Sequence, residues 1–312
     1  MLKTNISSYL HWILLLSYTL NLDRSSCEFR SNDKTIILLA GQSNMAGRGG
    51  VINDKWDGII PEECGPTPSI LRLDAKHRWV EATEPLHRDI DTNHTCGVGP
   101  GMALAHAVVR KSFEIGTVGL VPCAVGGTNI SHWSRGGHLY NQLIKRAMAS
   151  LREGGTIQAL VWYQGESDTL LKQDADAYNR RLLNFFLDFR TDLQSPMLPI
   201  IQVAITSGEG RFIEDVRQAQ MAVDLLNFQT IDAKGLPLEP DNLHLTTPAQ
   251  VQLGQQLAHA FLHFLPGQVQ TNAGSLLVQN AAPSISHYNF FYTALIASII
   301  LIYHISLPVH IL

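Results

Sequence analysis

The feature that most restricts the fold of this chain is an alternation of short apolar runs with amphipathic helical segments, beginning near Thr35. Nearly continuous apolar runs are typical of strands buried on both faces of a parallel sheet. Parallel strands need long crossover connections, which are usually helices. We therefore expect an α/β fold, a three-layer α/β/α sandwich with a central, mainly parallel five-stranded sheet, in one domain spanning residues 33–266. The predicted strands are residues 36–40, 118–122, 159–163, 200–205 and 230–232, and the predicted helices are 102–111, 139–151, 175–189, 212–225 and 246–264.

The segment between residues 48 and 101 interrupts this alternation. It is rich in Pro, Gly, Asp and His, and Pro61 and Pro85 are among the prolines that break any long helix there. So long an excursion within a compact domain is usually functional or carries a small structure of its own. Asn93 opens an Asn-x-Thr sequon in it, which predicts a glycan if the chain is secreted.

The composition is that of a globular protein. Hydrophobic residues make up 45% and charged residues 16% of the chain, which is enough apolar material for a core and argues against disorder. The formal net charge of −4 provides no basic field, so we expect no nucleic-acid partner. Nothing in the sequence indicates an oligomeric state.

Both ends of the chain carry apolar segments with the features of targeting signals. Residues 1–26 resemble a secretory signal peptide, with Lys3 as the positive residue and residues 10–20 as the apolar core. At the other end a polar spacer, residues 267–289, precedes a hydrophobic tail, residues 290–312. That order fits a glycosylphosphatidylinositol attachment signal and a membrane span alike, and a third interpretation is an artefact of gene prediction. We expect the secretory pathway, with the protein extracellular or tethered to a membrane by the tail.

The chain has four cysteines, Cys27, Cys64, Cys96 and Cys123. In a secreted protein they permit disulfides, and the sequence does not choose among the three complete pairings that four cysteines allow. Their spacing is not that of a zinc site. Cys123 follows a predicted strand, where a buried structural thiol is a commoner outcome than a nucleophile.

One short segment, Gly-Gln-Ser-Asn-Met-Ala-Gly at residues 41–47, has the character of a catalytic turn. It follows the first predicted strand directly, and α/β hydrolases expose a nucleophile by delivering a serine to a tight, glycine-flanked turn. A helix that begins there would direct its first backbone N–H groups at a developing oxyanion. The segment by itself leaves a second interpretation equally open, in which Ser43 only caps a helix.

Three further polar segments lie directly after predicted strands or before a predicted helix. Asp241 and His244 stand three residues apart in one loop and suit an orienting acid and a general base. Gly127 belongs to a glycine pair that can present a bare backbone N–H to a ligand. Gln164 can donate an N–H to an oxyanion, and Glu166 can orient a histidine or hold the site together. Each segment alone is explained as well by a turn or a cap, but open α/β sheets place their sites at this edge.

The four segments in this order resemble the sequence blocks of the SGNH hydrolase superfamily. More narrowly, they resemble its sialate O-acetylesterase-related domain, carbohydrate esterase family six, and residues 41–50 resemble the plant branch of that family. The similarity extends over about residues 35–264. The blocks read Gly41-Gln42-Ser43-Asn44-Met45, Gly126-Gly127-Thr128-Asn129, Trp162-Tyr163-Gln164-Gly165-Glu166 and Asp241-Asn242-Leu243-His244.

The resemblance implies an SGNH/flavodoxin-like sandwich and a serine esterase that removes O-acetyl groups from a carbohydrate through an acetyl-enzyme. It implies Ser43 as the nucleophile, His244 as the general base and Asp241 as the acid that orients it. The oxyanion hole would consist of the backbone N–H groups of Ser43 and Gly127 with the side chain of Gln164. Glu166 competes with Asp241 because some relatives use the glutamate of the third block as the acid. We favour Asp241 because its spacing ties it to His244 in one loop.

An acetylated carbohydrate is the expected partner, and neither a metal nor a cofactor is expected. The histidines lack paired ligand spacing such as His-Glu-x-x-His. One alternative is a catalytically silent, carbohydrate-binding surface protein, although binding alone needs no serine, histidine and carboxylates together. Another is a lipid or thioester hydrolase of the same superfamily, against which the polar, Gln- and Asn-lined blocks argue.

Overall fold

The computed structural model describes residues 34–111 and 115–265. The predicted signal peptide (1–26), polar spacer (267–289) and hydrophobic tail (290–312) lie outside the described residues, as does Cys27. Within the described ranges, no helix is long and apolar enough to cross a membrane.

A mainly parallel sheet forms the centre of the molecule. Its strands, together with those of a small separate hairpin, are in chain order β1 (Lys34–Gly41), β2 (Val51–Ile52), β3 (Lys55–Trp56), β4 (Ile70–Leu73), β5 (Trp79–Glu81), β6 (Thr117–Pro122), β7 (Thr156–Tyr163), β8 (Ile200–Ala204) and β9 (Phe228–Asp232). The sheet has the order β5-β4-β6-β1-β7-β8-β9, and β2 pairs with β3 apart from it. All neighbours in the sheet are parallel except β4 and β5.

The predicted α/β class with a mainly parallel sheet is confirmed, and the five predicted strands are present as β1, β6, β7, β8 and β9. The sheet has seven strands and not five, because the segment that interrupts the alternation adds β4 and β5 at one edge. These two strands lack the pattern from which the other five were predicted. β4 buries Arg72, which pairs with Asp89, and β5 is partly exposed along its length, so neither has the apolar run of a strand buried on both faces.

Helices cover both faces of the sheet. Those of the described residues are α1 (Ser43–Ala46), α2 (Pro100–Lys111), α3 (His138–Ser150), α4 (Lys172–Asp192), α5 (Ile213–Met221) and α6 (Thr247–His263). The chain moves across the sheet in one direction from β1 to β6 and in the other from β6 through β7 and β8 to β9. Because such crossovers keep one handedness, α2 lies on one face and α3, α4 and α5 lie on the other. α6 packs against α2 and completes the first layer.

The start of α6 follows the predicted pattern. Thr246 is the N-cap, and its hydroxyl oxygen accepts a hydrogen bond from the backbone N–H of Ala249 at 3.4 Å. Pro248 occupies the first turn, where its missing N–H costs no hydrogen bond. Because α6 begins directly after the Asp241–His244 loop, this cap fixes one end of that loop.

An aromatic cluster anchors β7 against α4. The rings of Trp162 and Phe185 have centroids 4.4 Å apart, and Trp133 meets Trp162 edge-on at 5.2 Å. Aromatic pairs of this geometry contribute about 0.5–1.5 kcal/mol each beyond the area they bury. The cluster thus packs the carboxyl end of β7, which leads directly into Gln164 and Glu166, against α4.

The chain leaves β1 through a sharp turn at Gly41, where φ is 133°. A Cβ at this position would lie 2.0 Å from the carbonyl oxygen of Tyr163, so only glycine fits. The N–H of Gln42 donates to that same oxygen at 2.9 Å, and the N–H of Val125 donates to the carbonyl of Gly41 at 3.0 Å. These bonds join the carboxyl ends of β1, β6 and β7, and Ser43 emerges at their junction.

Candidate active site

Three of the side chains predicted from sequence form a hydrogen-bonded series at this edge of the sheet. The hydroxyl oxygen of Ser43 lies 2.9 Å from Nε2 of His244, and Nδ1 of the same ring lies 2.6 Å from Oδ2 of Asp241. Ser43 and His244 are 201 residues apart in the chain, so only the folded sheet brings them together. The order of groups is that of a nucleophile, a base and the carboxylate that orients the base.

The loop from Glu239 to Leu245 holds its own shape. Oδ1 of Asp241 accepts hydrogen bonds from the backbone N–H groups of Leu243 and His244 at 2.9 and 3.0 Å. Asn242 adopts the left-handed conformation at a φ of 57°, which asparagine tolerates better than most residues. The N–H of Glu239 donates to the carbonyl of His244 at 2.7 Å and closes the turn. One carboxylate thus shapes the loop with one oxygen and holds the imidazole with the other.

The electrostatics of the pair suit proton transfer to the ring. Burial lowers the pKa of His244, and Arg48 lowers it further, although hydrogen bonding to Asp241 acts in the opposite direction. The pKa of Asp241 is also lowered, because hydrogen bonds from the loop N–H groups and the His244 ring outweigh the effect of its partial burial. At neutral pH the imidazole is therefore mainly neutral beside an ionised carboxylate, and Nε2 can accept the proton of the Ser43 hydroxyl.

Ser43 stands at the first position of α1, a single helical turn, and Gln42 occupies the N-cap position. The side chain of Ser43 is nearly buried, and its hydroxyl oxygen lies at hydrogen-bond distance from Nε2 of His244. Of the two interpretations open from sequence, a helix cap and a nucleophile, the first does not describe Ser43, because the N-cap position belongs to Gln42. The backbone N–H of Ser43 belongs to a first helical turn, whose N–H groups have no partner within the helix.

The glycine pair after β6 lies beside this turn. Gly127 is exposed and has a φ of 67°, and a Cβ there would touch nothing within 4 Å. Gly126 has no such room, because a Cβ would lie 2.6 Å from Nη2 of Arg48. The N–H of Gly126 donates to the buried carboxylate of Asp91 at 3.1 Å, and Arg48 forms an ion pair with that carboxylate. His94 also bonds to Asp91, at 2.9 Å through Nδ1.

Gln164 lies beneath the turn, fully buried, and its amide is already engaged. Nε2 donates to Oδ2 of Asp168 at 2.6 Å and to the carbonyl of Thr128 at 3.0 Å, with Oε1 of Gln42 at 3.2 Å as a further acceptor. Its Oε1 accepts from the hydroxyl of Tyr178 at 3.0 Å. An amide nitrogen has two hydrogens, so these contacts leave none directed at Ser43.

Glu166 is brought near the loop but not to the ring of His244. It is fully buried, and its Oε1 accepts a hydrogen bond from Nδ2 of Asn44 at 2.7 Å. Burial raises its pKa from 4.5 to about 7, with the Asn44 bond acting in the opposite direction. In this arrangement the carboxyl partner of His244 is Asp241.

Four residues of the site were not singled out from sequence as contributors. Asn44 and Arg48 lie in or beside the first block, and Asp91 and His94 lie in the interrupting segment. The only available signal for the last two was the unusual length of that segment. Among residues 34–111 and 115–265, no group of three His, Cys, Asp or Glu side chains is placed to hold a metal ion, and Cys64, Cys96 and Cys123 are free thiols.

Comparison with known proteins identifies the chain. A family model described as carbohydrate esterase, sialic acid-specific acetylesterase, matches residues 33–263. The chain belongs to this family. This carbohydrate esterase is accordingly a hydrolase that acts on carboxylic ester bonds.

Known proteins similar to this esterase include a plant relative and a bacterial protein of the same fold. It is 56% identical over 234 residues to a probable carbohydrate esterase of Arabidopsis thaliana, a match that covers 73% of this chain and 90% of the relative. An X-ray structure of a protein from Arabidopsis thaliana superposes with a TM-score of 0.72 at 54% identity, covering 74% of this chain and 98% of that one. A carbohydrate acetylesterase from Xanthomonas citri shares the fold, with a TM-score of 0.54, 19% identity and coverage of 75% and 57%.

Proposed function

We propose that this protein is a serine esterase that hydrolyses O-acetyl esters of a sugar or polysaccharide through an acetyl-enzyme intermediate. The observation that carries the proposal is the hydrogen-bonded series from Asp241 through His244 to Ser43. Family membership supports the ester-hydrolase class, and the geometry supports the serine mechanism.

In the proposed first half-reaction, the oxygen of Ser43 attacks the acetyl carbonyl carbon while Nε2 of His244 takes the hydroxyl proton. The resulting oxyanion accepts hydrogen bonds from the backbone N–H groups of Ser43 and Gly127. Collapse of the tetrahedral intermediate breaks the bond to the sugar oxygen, which leaves with the proton from His244. Asp241 stabilises the imidazolium throughout.

In the second half-reaction, water attacks the acetyl group on Ser43 and gives a proton to His244. A second tetrahedral oxyanion forms in the same position, and its collapse releases acetate and returns the proton to Ser43.

Gln164 was predicted as a third oxyanion donor, and its contacts favour a different task. Because it bonds to the carbonyl of Thr128, next to Gly127, we propose that it braces the turn that carries the oxyanion donor. We assign the role of triad acid to Asp241, since Glu166 bonds to Asn44.

We also propose that the enzyme acts in the secretory pathway, extracellular or held at the cell surface by its tail. The composition of residues 1–26 and 290–312 supports this proposal. Release of the esterase from intact cells by a phosphatidylinositol-specific phospholipase supports a lipid anchor, whereas retention after that treatment but not after detergent supports a membrane span.

The mechanism is tested by comparing acetate release by the wild type, Ser43→Ala and a control, Ser134→Ala, on acetylated polysaccharides and a small aryl acetate. We expect Ser43→Ala to lose at least about a thousandfold in kcat, since the residual rate comes from binding and the oxyanion hole alone. The exposed Ser134 should be dispensable. Acid-quenched wild-type enzyme should carry one acetyl group on the peptide that contains Ser43.

Undiminished turnover by Ser43→Ala would exclude the mechanism. Saturable binding of the polysaccharide with no acetate release by the wild type would favour the carbohydrate-binding alternative. A preference for long-chain acyl or thioester substrates over acetylated sugars would favour the lipid or thioester hydrolase.

A further inference from the structure

The side chain of Asn44, next to the proposed nucleophile, links three parts of the site. It is fully buried. Its Nδ2 donates to Oε1 of Glu166 at 2.7 Å and to the carbonyl of Leu243 at 3.3 Å, and its Oδ1 accepts from the N–H of Leu245 at 2.9 Å. Leu243 and Leu245 are the residues on either side of His244. Asn44 therefore holds the backbone of the histidine loop at both flanks of the ring.

Further hydrogen bonds hold Asn44 and the loop carbonyl to which it donates. Its carbonyl accepts a hydrogen bond from Nε2 of Gln250 on α6 at 3.1 Å. The hydroxyl of Ser207 donates to the same Leu243 carbonyl that Asn44 reaches. Because Glu166 accepts from Nδ2, the amide oxygen is turned towards Leu245, and the opposite orientation would set an NH₂ group against that N–H. The carboxyl thus fixes which way the asparagine amide faces.

We infer that Asn44 and Glu166 are positioning residues for the proposed acyl transfer. They act through the backbone beside His244 and hold its Nε2 at hydrogen-bond distance from the Ser43 hydroxyl. The inference rests on the proposed function. Glu166 takes part by hydrogen bonding to Asn44 and not as the charge partner of the imidazole.

The position of the His244 ring relative to Ser43 has to be held by contacts from outside the histidine loop. The histidine loop is exposed at Asp241, whose side chain is 44% accessible, and it reaches Ser43 from the far end of the chain. An error of about 1 Å in the placement of a reacting group can cost a hundredfold in rate. A buried amide that binds both flanks of the base prevents such a displacement without touching the reacting atoms.

The test compares Asn44→Ala, Glu166→Gln and Glu166→Ala with a matched control, Asn179→Ala. Asn179 also donates a side-chain hydrogen bond to a backbone carbonyl, that of Ala219, away from the site. Kinetics are measured on an aryl acetate over a range of pH, with folding checked by urea unfolding and the active fraction counted by acetylation of Ser43.

For Asn44→Ala we expect kcat to fall about a hundredfold while KM changes less than about threefold, since the ring is misplaced and the substrate surface is not. Glu166→Gln should stay within about fivefold of the wild type, because its amide oxygen can accept from Asn44. The acid limb of its pH profile of kcat/KM should also lie at the same pH as that of the wild type. Glu166→Ala should lose at least about tenfold in kcat, and Asn179→Ala should retain the wild-type kcat.

Wild-type kcat in folded Asn44→Ala would overturn the inference. Equal losses of kcat in Glu166→Gln and Glu166→Ala would also overturn it, because the negative charge of Glu166 and not its hydrogen bond to Asn44 would then be needed. A shift in the acid limb of the pH profile of kcat/KM in Glu166→Gln would point the same way. If Asn44→Ala does not fold, the two Glu166 variants decide the question alone. Full activity of Ser43→Ala would instead reject the proposed function, whatever the Asn44 and Glu166 variants show.

Discussion

Two carboxyl groups approach the histidine loop, and they differ in almost every physical respect. The side chain of Asp241 is 44% exposed and accepts two backbone N–H groups and the His244 ring. Glu166 is fully buried, and its hydrogen bond comes from Asn44. The pKa of Asp241 is lowered, whereas burial raises that of Glu166 to about 7. A carboxylate that must stabilise an imidazolium has to be ionised; the lowered pKa keeps Asp241 ionised at neutral pH, whereas a carboxyl with a pKa of about 7 is only partly ionised there.

The same contrast separates two regions of the site. The loop from Glu239 to Leu245 lies at the surface and contains the proposed acid and base, and its shape depends on hydrogen bonds within its own turn and on Asn44. The layer beneath Ser43 is buried and made of amides and a carboxyl that bind one another, namely Gln42, Gln164 and Asp168. Changes in the loop should therefore act on rate, and changes in the buried layer should act mainly on stability.

The largest effect should come from Asp241→Asn. We expect kcat to fall about 10³–10⁴-fold, because an amide neither stabilises the imidazolium nor selects the reactive tautomer. The free energy of unfolding should change by less than about 1 kcal/mol, since the group is half-exposed and the Asn oxygen can still accept the loop N–H groups. Measurements are kcat on an aryl acetate and urea unfolding. A smaller loss of kcat in Asp241→Asn than in Glu166→Gln would reverse the assignment of the acid.

A change in the buried layer, Gln164→Ala, should instead lower the free energy of unfolding by about 2–4 kcal/mol. It removes the side-chain hydrogen bonds of Gln164 to Asp168, to the Thr128 carbonyl and to the Tyr178 hydroxyl, and the loss of hydrogen bonds between buried polar groups is costly. The control is Gln142→Ala on α3, which is exposed and should cost less than about 0.5 kcal/mol. Urea unfolding gives both values. If Gln164→Ala unfolds normally yet loses kcat a hundredfold or more, Gln164 is an oxyanion donor after all.

The smallest effect concerns the pH dependence of stability. The pKa of Glu166 is raised from 4.5 to about 7 in the folded protein, so the folded state binds this proton more tightly than the unfolded state. Its contribution to stability is therefore fully present below pH 4.5 and is lost as the pH rises through about 7. In Glu166→Gln this loss is absent, so the variant should gain stability relative to the wild type between these pH values. A stability difference independent of pH would show that folding does not shift the pKa of Glu166.

Much of this protein follows from its sequence. The apolar runs that became β1, β6, β7, β8 and β9 indicate a parallel sheet because a strand buried on both faces admits few polar residues. The glycine-flanked serine and the Asp-x-x-His spacing can be recognised from sequence because each depends on residues that are neighbours in the chain. Asp241 shapes the turn that contains His244, so a spacing of three residues is enough to bring the two together.

The tertiary structure decided what depends on distant contacts. β4 and β5 carry no continuous apolar run; β4 pairs with the edge of β6, and β5 pairs in turn with β4. Asp91 reaches Gly126 only because the interrupting segment folds back over the sheet edge. Gln164 and Glu166 stand in the block where the sequence predicted them, but whether an amide or carboxyl faces a substrate or a buried partner depends on what packs over it. For Glu166 that partner is Asn44, 122 residues away, and no pattern in the sequence specifies such a pair.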